Sequence, residues 1–242
     1  MTTISEALLF TRSSPKLARA DDWDTWEVDK HMYDLVRGPG VSSSTMYRRV
    51  IDRRLPQALS AGARRAVTYR APNLAEMRLW LDSETLREAV ADGRTWIDAY
   101  DPLEEQWFTG NVYRQIRATG VVPNVESDIL TERFEVPAEL MGEFEAWLDG
   151  HVDRISALKG IEAVQSFRVV RDISNELYLS PGNYALVATV PAGDDPIARL
   201  TTNAAFAALR SSQEWELRLG YLTRELFTPG GHMFAPDTDD SR

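Results

Sequence analysis

An α+β fold made of two tandem βαββαβ units is what this sequence predicts, and three observations carry it. The chain matches itself when shifted by 120 residues. Both halves present strand-forming and helix-forming segments in the same order. The composition, 43% apolar and 26% charged, is that of a chain able to bury a core.

In the 120-residue register His31 falls on His151, Gly40 on Gly160, Arg48 on Arg168, Val50 on Val170 and Asp52 on Asp172, while Tyr47 meets Phe167. With an offset of 119, Ala89 meets Ala208, Trp96 meets Trp215, and Phe108-Thr109 meets Phe227-Thr228. Chance similarity does not usually stay in phase over such a length, and a repeat of this size decides the architecture.

The elements follow. Ala7 to Arg12 is a short apolar strand. Asp21 to Val36 has helical spacing, with Asp21 or Asp22 as N-cap, and Gly38-Pro39-Gly40 stops it. Val41 to Asp52, rich in Ser, Thr, Tyr and Val, reads as a strand, as does Arg65 to Arg70. Asn73 opens a helical region that runs to about Val90, and Leu103 to Thr109 is the fourth strand. In the second half Ile129 to Val136 is a strand, and Pro137 begins a helix where its missing N–H costs nothing. Ile161 to Asp172 and Tyr184 to Pro191 are strands, Asp195 to Ser211 is helical, and Leu217 to Thr228 closes the unit.

This order is ferredoxin-like. Each unit makes a four-stranded antiparallel sheet with both helices on one face, leaving the other face bare. A second unit, from this chain or another, must cover that face, and a homodimer is expected on this ground. The expected division is a first unit over 1–118, a linker over 119–127, a second unit over 128–228, and a polar tail over 229–242. In that tail His232 is expected to be solvent-exposed.

Composition excludes several functions. Net charge is −10 with no basic run, which argues against nucleic acid and against an anionic membrane surface as partners. There is no cysteine, so disulfides, thiolate metal sites and a Cys nucleophile are ruled out. No apolar run reaches the roughly 18 residues of a spanning helix, and the first residues carry no leader pattern, so a cytoplasmic protein is expected. No glycine-rich phosphate loop or nucleophile elbow is present. The three histidines lie too far apart in sequence for a zinc constellation.

The run Trp26, His31, Pro39-Gly40-Val41 and Tyr47-Arg48 resembles the dimeric α+β barrel superfamily, in particular its EthD-like and stress-responsive members. Trp147, His151, Gly160-Ile161 and Phe167-Arg168 form a degenerate second copy lacking the Pro. The resemblance implies a small-molecule ligand held between a sheet and its own helices. It also implies a choice among cofactor-free monooxygenases, cyclases, isomerases and decarboxylases, with more distant relatives that bind heme.

His31 is the leading candidate for chemistry. Val28 and Leu35 share its helix face, and Glu27 at i−4 is placed to bond the imidazole. The expected scheme has His31 moving a proton, Glu27 orienting it, and Arg48 or Tyr69 stabilising negative charge. His151 has Trp147 in place of the carboxylate. Trp23, Trp26, Trp80 and Trp107 make the first half richer in rings than the second, so it is the expected holder of a flat aromatic or polyketide-like substrate, with Trp26, Tyr47, Trp80, Trp96, Trp107 and His151 as the expected binding residues. No cofactor and no metal are expected. A heme enzyme with His31 or His151 as axial ligand is the alternative, and a non-catalytic binding or stress-response module is a third reading.

Overall fold

The structure, a computed structural model, describes residues 6–51, 62–100, 108–120, 127–173, 181–190, 212, 215, 218–219 and 221–234. Its strands are β1 (Ala7–Ser13), β2 (Ser43–Arg49), β3 (Arg65–Ala71), β4 (Phe108–Gly120), β5 (Asp128–Glu135), β6 (Ala163–Val169), β7 (Tyr184–Val190) and β8 (Tyr221–Phe234). Its α-helices are α1 (Ala20–Trp26), α2 (Met32–Val36), α3 (Leu74–Leu81), α4 (Glu84–Gly93) and α5 (Met141–Ser156). Trp107 and the expected helix Asp195 to Ser211 lie outside the described residues.

The strands close into one antiparallel barrel in the order β1-β3-β2-β8-β5-β7-β6-β4. Each unit contributes the ferredoxin-like run, β4-β1-β3-β2 and β6-β7-β5-β8. The seams are β2 against β8 and β4 against β6. The bare sheet faces therefore cover each other within one chain, and the cover for which a second copy was expected is supplied internally.

Strand alternation sorts the side chains. Leu8, Phe10, Tyr47, Ala66, Tyr113, Phe167 and Phe227 fill the barrel interior. The helix-facing side of the first unit packs Leu9, Val67 and Tyr69 against Trp23, Met77 and Trp80. That of the second packs Leu130 and Phe134 against Phe144, Leu148, Val152 and Trp215.

Two strands run well past their expected ends, and both extensions sit at the seams. β4 runs to Gly120 rather than ending at Thr109. Its outer part alternates exposed and half-buried residues, Arg114 and Ile116 among them, and so carries no apolar pattern. The backbone is held by pairing with β6, a long-range partner that local sequence does not reveal. β8 likewise continues through Phe234, so 229–234 is strand and not tail, because β2 pairs with it. His232 is correspondingly half-buried, with Nδ1 2.7 Å from Thr45 Oγ1. Burial, with help from the Arg70 charge, pushes its pKa down to about 4. The closing strands also correct one repeat pairing: Tyr113 lies opposite Leu8 and Phe227 opposite Ile129, so Tyr113 and Phe227 are the equivalent positions, not Phe108 and Phe227.

Gly40 ends the α2–β2 turn at φ +88, where a side chain would drive its Cβ into the Glu76 carbonyl. Gly40→Ala is expected to destabilise the chain by roughly 1–3 kcal/mol, from left-handed backbone strain alone before the clash is relieved. A urea midpoint within error of wild type would contradict this.

Candidate functional site

Between α1–α4 and the helix-facing side of the first sheet lies a cavity of about 270 Å³. Its walls are mostly apolar: Leu9, Leu35, Val67, Leu86 and Val90, with the rings of Trp23, Trp26, Trp80, Tyr69 and Tyr100. The polar side chains that reach it from the helix are Glu27 and His31.

The helix supplies these two groups from an unusual turn. Between α1 and α2, residues Glu27–His31 form a π-helical turn. Such turns are rare, appear mostly as single-turn insertions, and occur often at functional sites. The second unit's helix, α5, is regular throughout. In α5, His151 stacks on Trp147, four residues earlier, with ring centroids 4.5 Å apart. In the first unit His31 stacks on Trp26, five residues earlier, at 4.6 Å. The wider turn thus moves the tryptophan one place back in sequence while keeping the stack, and it frees position 27 for the cavity. The expected Glu27–His31 hydrogen bond is not among the bonds of the described residues. Trp26 occupies the i−4-like position against the imidazole, and Glu27 turns to the sheet.

Glu27 is 3% exposed, and its Oε1 accepts from the Tyr69 hydroxyl at 3.3 Å. Burial raises its pKa to about 8, against the lowering effect of the Tyr69 bond and with a further push from the Asp24 charge. The sign for stability follows. Glu27 holds its proton in the folded chain and loses it first in the unfolded one, so this contribution is full below about pH 4.5 and is lost as pH rises through 8. Glu27→Gln is therefore expected to flatten the fall in stability between those pH values. An unchanged slope of unfolding free energy against pH would contradict this.

His31 is half-buried as a residue, but its Nδ1 is buried and has no hydrogen-bond partner. Burial lowers its pKa to about 4, with Asp92 acting in the opposite direction, so the ring is neutral at pH 7. The stack behind it is fixed by bonds that the sequence did not signal. Trp96 lies on the other face of Trp26, with centroids 5.0 Å apart. Trp26 Nε1 donates to Asp92 at 3.0 Å, and Lys30 Nζ donates to the same carboxylate oxygen at 2.8 Å. Asp92, just past the helical region expected to end at about Val90, is held below its usual pKa by Lys30 first and is the anchor of the stack. Trp80 is fully buried and donates to the Leu35 carbonyl at 3.0 Å.

Of the expected site residues, the structure brings together Trp26, Glu27, His31, Tyr69 and Trp80 on the cavity, with Trp96 behind Trp26. Trp23 and Tyr100 join them, linked by a 3.4 Å bond from Trp23 Nε1 to the Tyr100 hydroxyl. The Trp23–Trp26 spacing was the available signal for the first, whereas Tyr100 comes from a segment with no pattern. Three expected residues are elsewhere. Arg48 pairs with Asp24 at 2.8 Å beside Arg65, and its repeat partner Arg168 pairs with Glu145 at 3.0 Å, so both secure a strand to the first helix of its unit. Tyr47 faces the barrel interior. His151 is buried in the second unit, stacked on Trp147 within a cluster of rings that includes Trp215 and Phe144.

The second unit's histidine belongs to a buried polar cluster. His151 Nε2 is 2.6 Å from Glu132 Oε2. Glu132 Oε1 accepts from Ser212 Oγ at 2.8 Å and from Arg224 Nε at 3.0 Å. Burial alone would raise the Glu132 pKa, but His151, Arg224 and Ser212 outweigh it and hold the carboxyl below its usual value.

A heme does not fit among the described residues. The cavity is less than twice the roughly 150 Å³ that takes one benzene, far short of a four-pyrrole macrocycle. His151 is enclosed by packed rings with its Nε2 already bonded. Among the described residues no group of acidic and histidine side chains is placed to hold a metal ion, and no helix is long and apolar enough to cross a membrane.

Fold and cavity together define a ferredoxin-like α+β barrel protein with two units in one chain and an apolar cavity between the first sheet and its helices. Comparison with solved structures agrees on the fold. The chain is similar to an anthrone oxidase-like protein (TM-score 0.63, 10% identity, covering 98% of this chain and 95% of that one). It is also similar to a candidate monooxygenase from Fusobacterium nucleatum (TM-score 0.60, 8% identity, 97% and 96% covered). A further candidate monooxygenase, from Lactobacillus acidophilus, matches with TM-score 0.56 and 8% identity, 96% and 97% covered. No family model and no curated protein sequence matches. Identities this low show the shared fold alone.

Proposed function

We propose that the protein is a small-molecule enzyme that moves a proton on a hydrophobic, aromatic substrate bound in the first-unit cavity. The observation that supports this most is Glu27, a carboxyl raised to about 8 and facing an apolar cavity beside the unpartnered His31 Nδ1. A carboxyl in that range takes and gives protons near neutral pH, as a general acid or base requires. The roles expected from sequence exchange: Glu27 moves the proton, Tyr69 is the group bonded to it, and the neutral His31 holds the substrate. Abstraction of a proton next to a carbonyl, or from a ring hydroxyl, is a step these side chains can perform by themselves. It opens lyase, isomerase, cyclase and cofactor-free oxygenase reactions alike. Similarity of fold to monooxygenase candidates and an anthrone oxidase-like protein is in keeping with this class.

The test is the pH profile of kcat/KM for a substrate found by screening aromatic ketones and hydroxyarenes. With Glu27 as base, the profile rises with an apparent pKa near 8 in wild type and loses that limb in Glu27→Gln. A profile flat from about pH 6 to 9 would assign the step to another group.

A further inference from the structure

We propose that the substrate's reacting group is a ring hydroxyl and that it meets the cavity at one atom, Glu27 Oε2, which takes the hydroxyl proton and returns it to the oxygen left behind. The inference rests on the reading of Glu27 as the group that moves the proton. The two oxygens of this carboxyl are not equivalent. Oε1 accepts from the Tyr69 hydroxyl at 3.3 Å, so the acid's own proton is carried on Oε2. Oε2 has no bond among the described residues and is not one of the buried atoms left without one, so it opens on the cavity that Glu27 lines. His31 Nδ1, by contrast, is sealed from the cavity. The walls carry the rings of Trp23, Trp26, Trp80 and Tyr69, which suit a flat aromatic frame. The volume of about 270 Å³ exceeds the roughly 150 Å³ that takes one benzene, so a naphthalene frame enters.

A hydroxyl matches Oε2 in both protonation states. To the neutral carboxyl it offers a lone pair, and to the carboxylate it offers its proton. In the transfer the ring O–H bond breaks, the Oε2–H bond forms, and the electron pair stays on the ring oxygen, which then accepts from the same Oε2–H. Abstraction from carbon would instead need a further donor on the oxygen that gathers charge, and the hydroxyl beside Glu27, that of Tyr69, is committed to Oε1. The proton affinities are close, since a phenol titrates near about 10 in water and burial raises Glu27 to about 8. The titratable and charged groups around Glu27 are Tyr69 of β3 and, on α1, Asp24, which pairs with Arg48 of β2 and Arg65 of β3. His31 and Arg94 line the same cavity; burial lowers His31 to about 4 and keeps it neutral, and Arg94 is exposed to solvent. A change in binding near pH 8 therefore reports Glu27.

The experiment uses the intact chain and three probes of similar shape, naphthalene, 2-methoxynaphthalene and 2-naphthol, with binding measured by calorimetry from about pH 6 to about pH 9. The ether can only accept, so it needs the Glu27 proton, and its affinity is expected to fall about tenfold over that range. Naphthol gives its own proton to the carboxylate, so its affinity holds or rises, while that of naphthalene does not move. In Glu27→Gln all three probes lose their pH dependence. In Tyr69→Phe, which removes a bond that lowers the Glu27 pKa, the pH at which ether and naphthol part moves up. Should either variant fail to fold, the wild-type curves decide alone. If ether and naphthol weaken together, Glu27 only donates, and the inference is overturned while Glu27 stands as an acid on the cavity. If all three bind and none responds to pH, the ligand oxygen is not on Oε2, and the inference is overturned while the cavity stands as a ligand site. Failure of all three probes to bind would overturn both the inference and the reading beneath it.

Discussion

Glu27→Gln is expected to lower kcat by about 10²–10⁴-fold while leaving substrate binding within a few-fold of wild type, the range that positioned proton transfer contributes. The amide keeps the shape of the side chain and accepts from the Tyr69 hydroxyl, so the 3.3 Å bond and the cavity walls persist. What it removes is the proton that Glu27, held near pKa 8 by burial, would exchange with substrate. The same substitution is not expected to destabilise the protein at pH 8, because a carboxyl raised this far opposes folding there once ionised. A variant with full activity would show that Glu27 is only a buried acid. A variant that fails to bind would show that the carboxyl shapes the pocket rather than the chemistry. His31→Leu separates the two groups further: a loss seen mainly in KM is the expected outcome, since the neutral imidazole is assigned to holding substrate.

Glu132→Ala is expected to cost about 3–5 kcal/mol, the loss typical of breaking a buried ion pair by removing one partner. Glu132 is 1% exposed, and its removal takes a buried carboxylate partner from the Arg224 guanidinium, the Ser212 hydroxyl and the His151 ring at once. Against a total stability of roughly 5–15 kcal/mol, that is a large fraction. It corresponds to a fall in Tm on the order of 10 °C for a chain of this size. Because Glu132 is held below its ordinary pKa, its contribution is present above about pH 4.5 and is lost as pH falls, opposite in sign to Glu27. Wild-type stability should therefore pass through a maximum between the two. A Glu132→Ala variant with wild-type Tm would mean that the cluster is held by packing of Trp147, Trp215 and Phe144 alone.

The βαββαβ order, the repeat and the concentration of rings in the first unit were legible because they depend on local pattern. Helix spacing around His31, the Gly38-Pro39-Gly40 stop and the alternation of β3 are each written within a dozen residues. The seams were not, since β4 beyond Arg114 and β8 beyond Thr228 are strands only because β6 and β2 pair with them. Within the site, sequence placed Trp26, Glu27, His31, Tyr69 and Trp80 but mis-assigned the bond between Glu27 and His31. The i−4 rule assumes an α-helical turn, and the π turn over Glu27–His31 puts Trp26 there instead. The clue lay in the repeat itself: Trp147 is four residues before His151 and Trp26 five before His31, a one-residue slip just ahead of the 120-residue register that holds from His31 to Asp52. Arg48 and Arg168 recur for a structural reason, each tying a strand to the first helix of its unit.

Titration of the Glu27 side-chain carboxyl by ¹³C NMR, with the resonance assigned from its absence in Glu27→Gln, tests the central claim most directly. The expected result is a single transition near pH 8. A Glu27 resonance that titrates near the ordinary glutamate value would contradict the account, leaving the cavity without a group to move the proton.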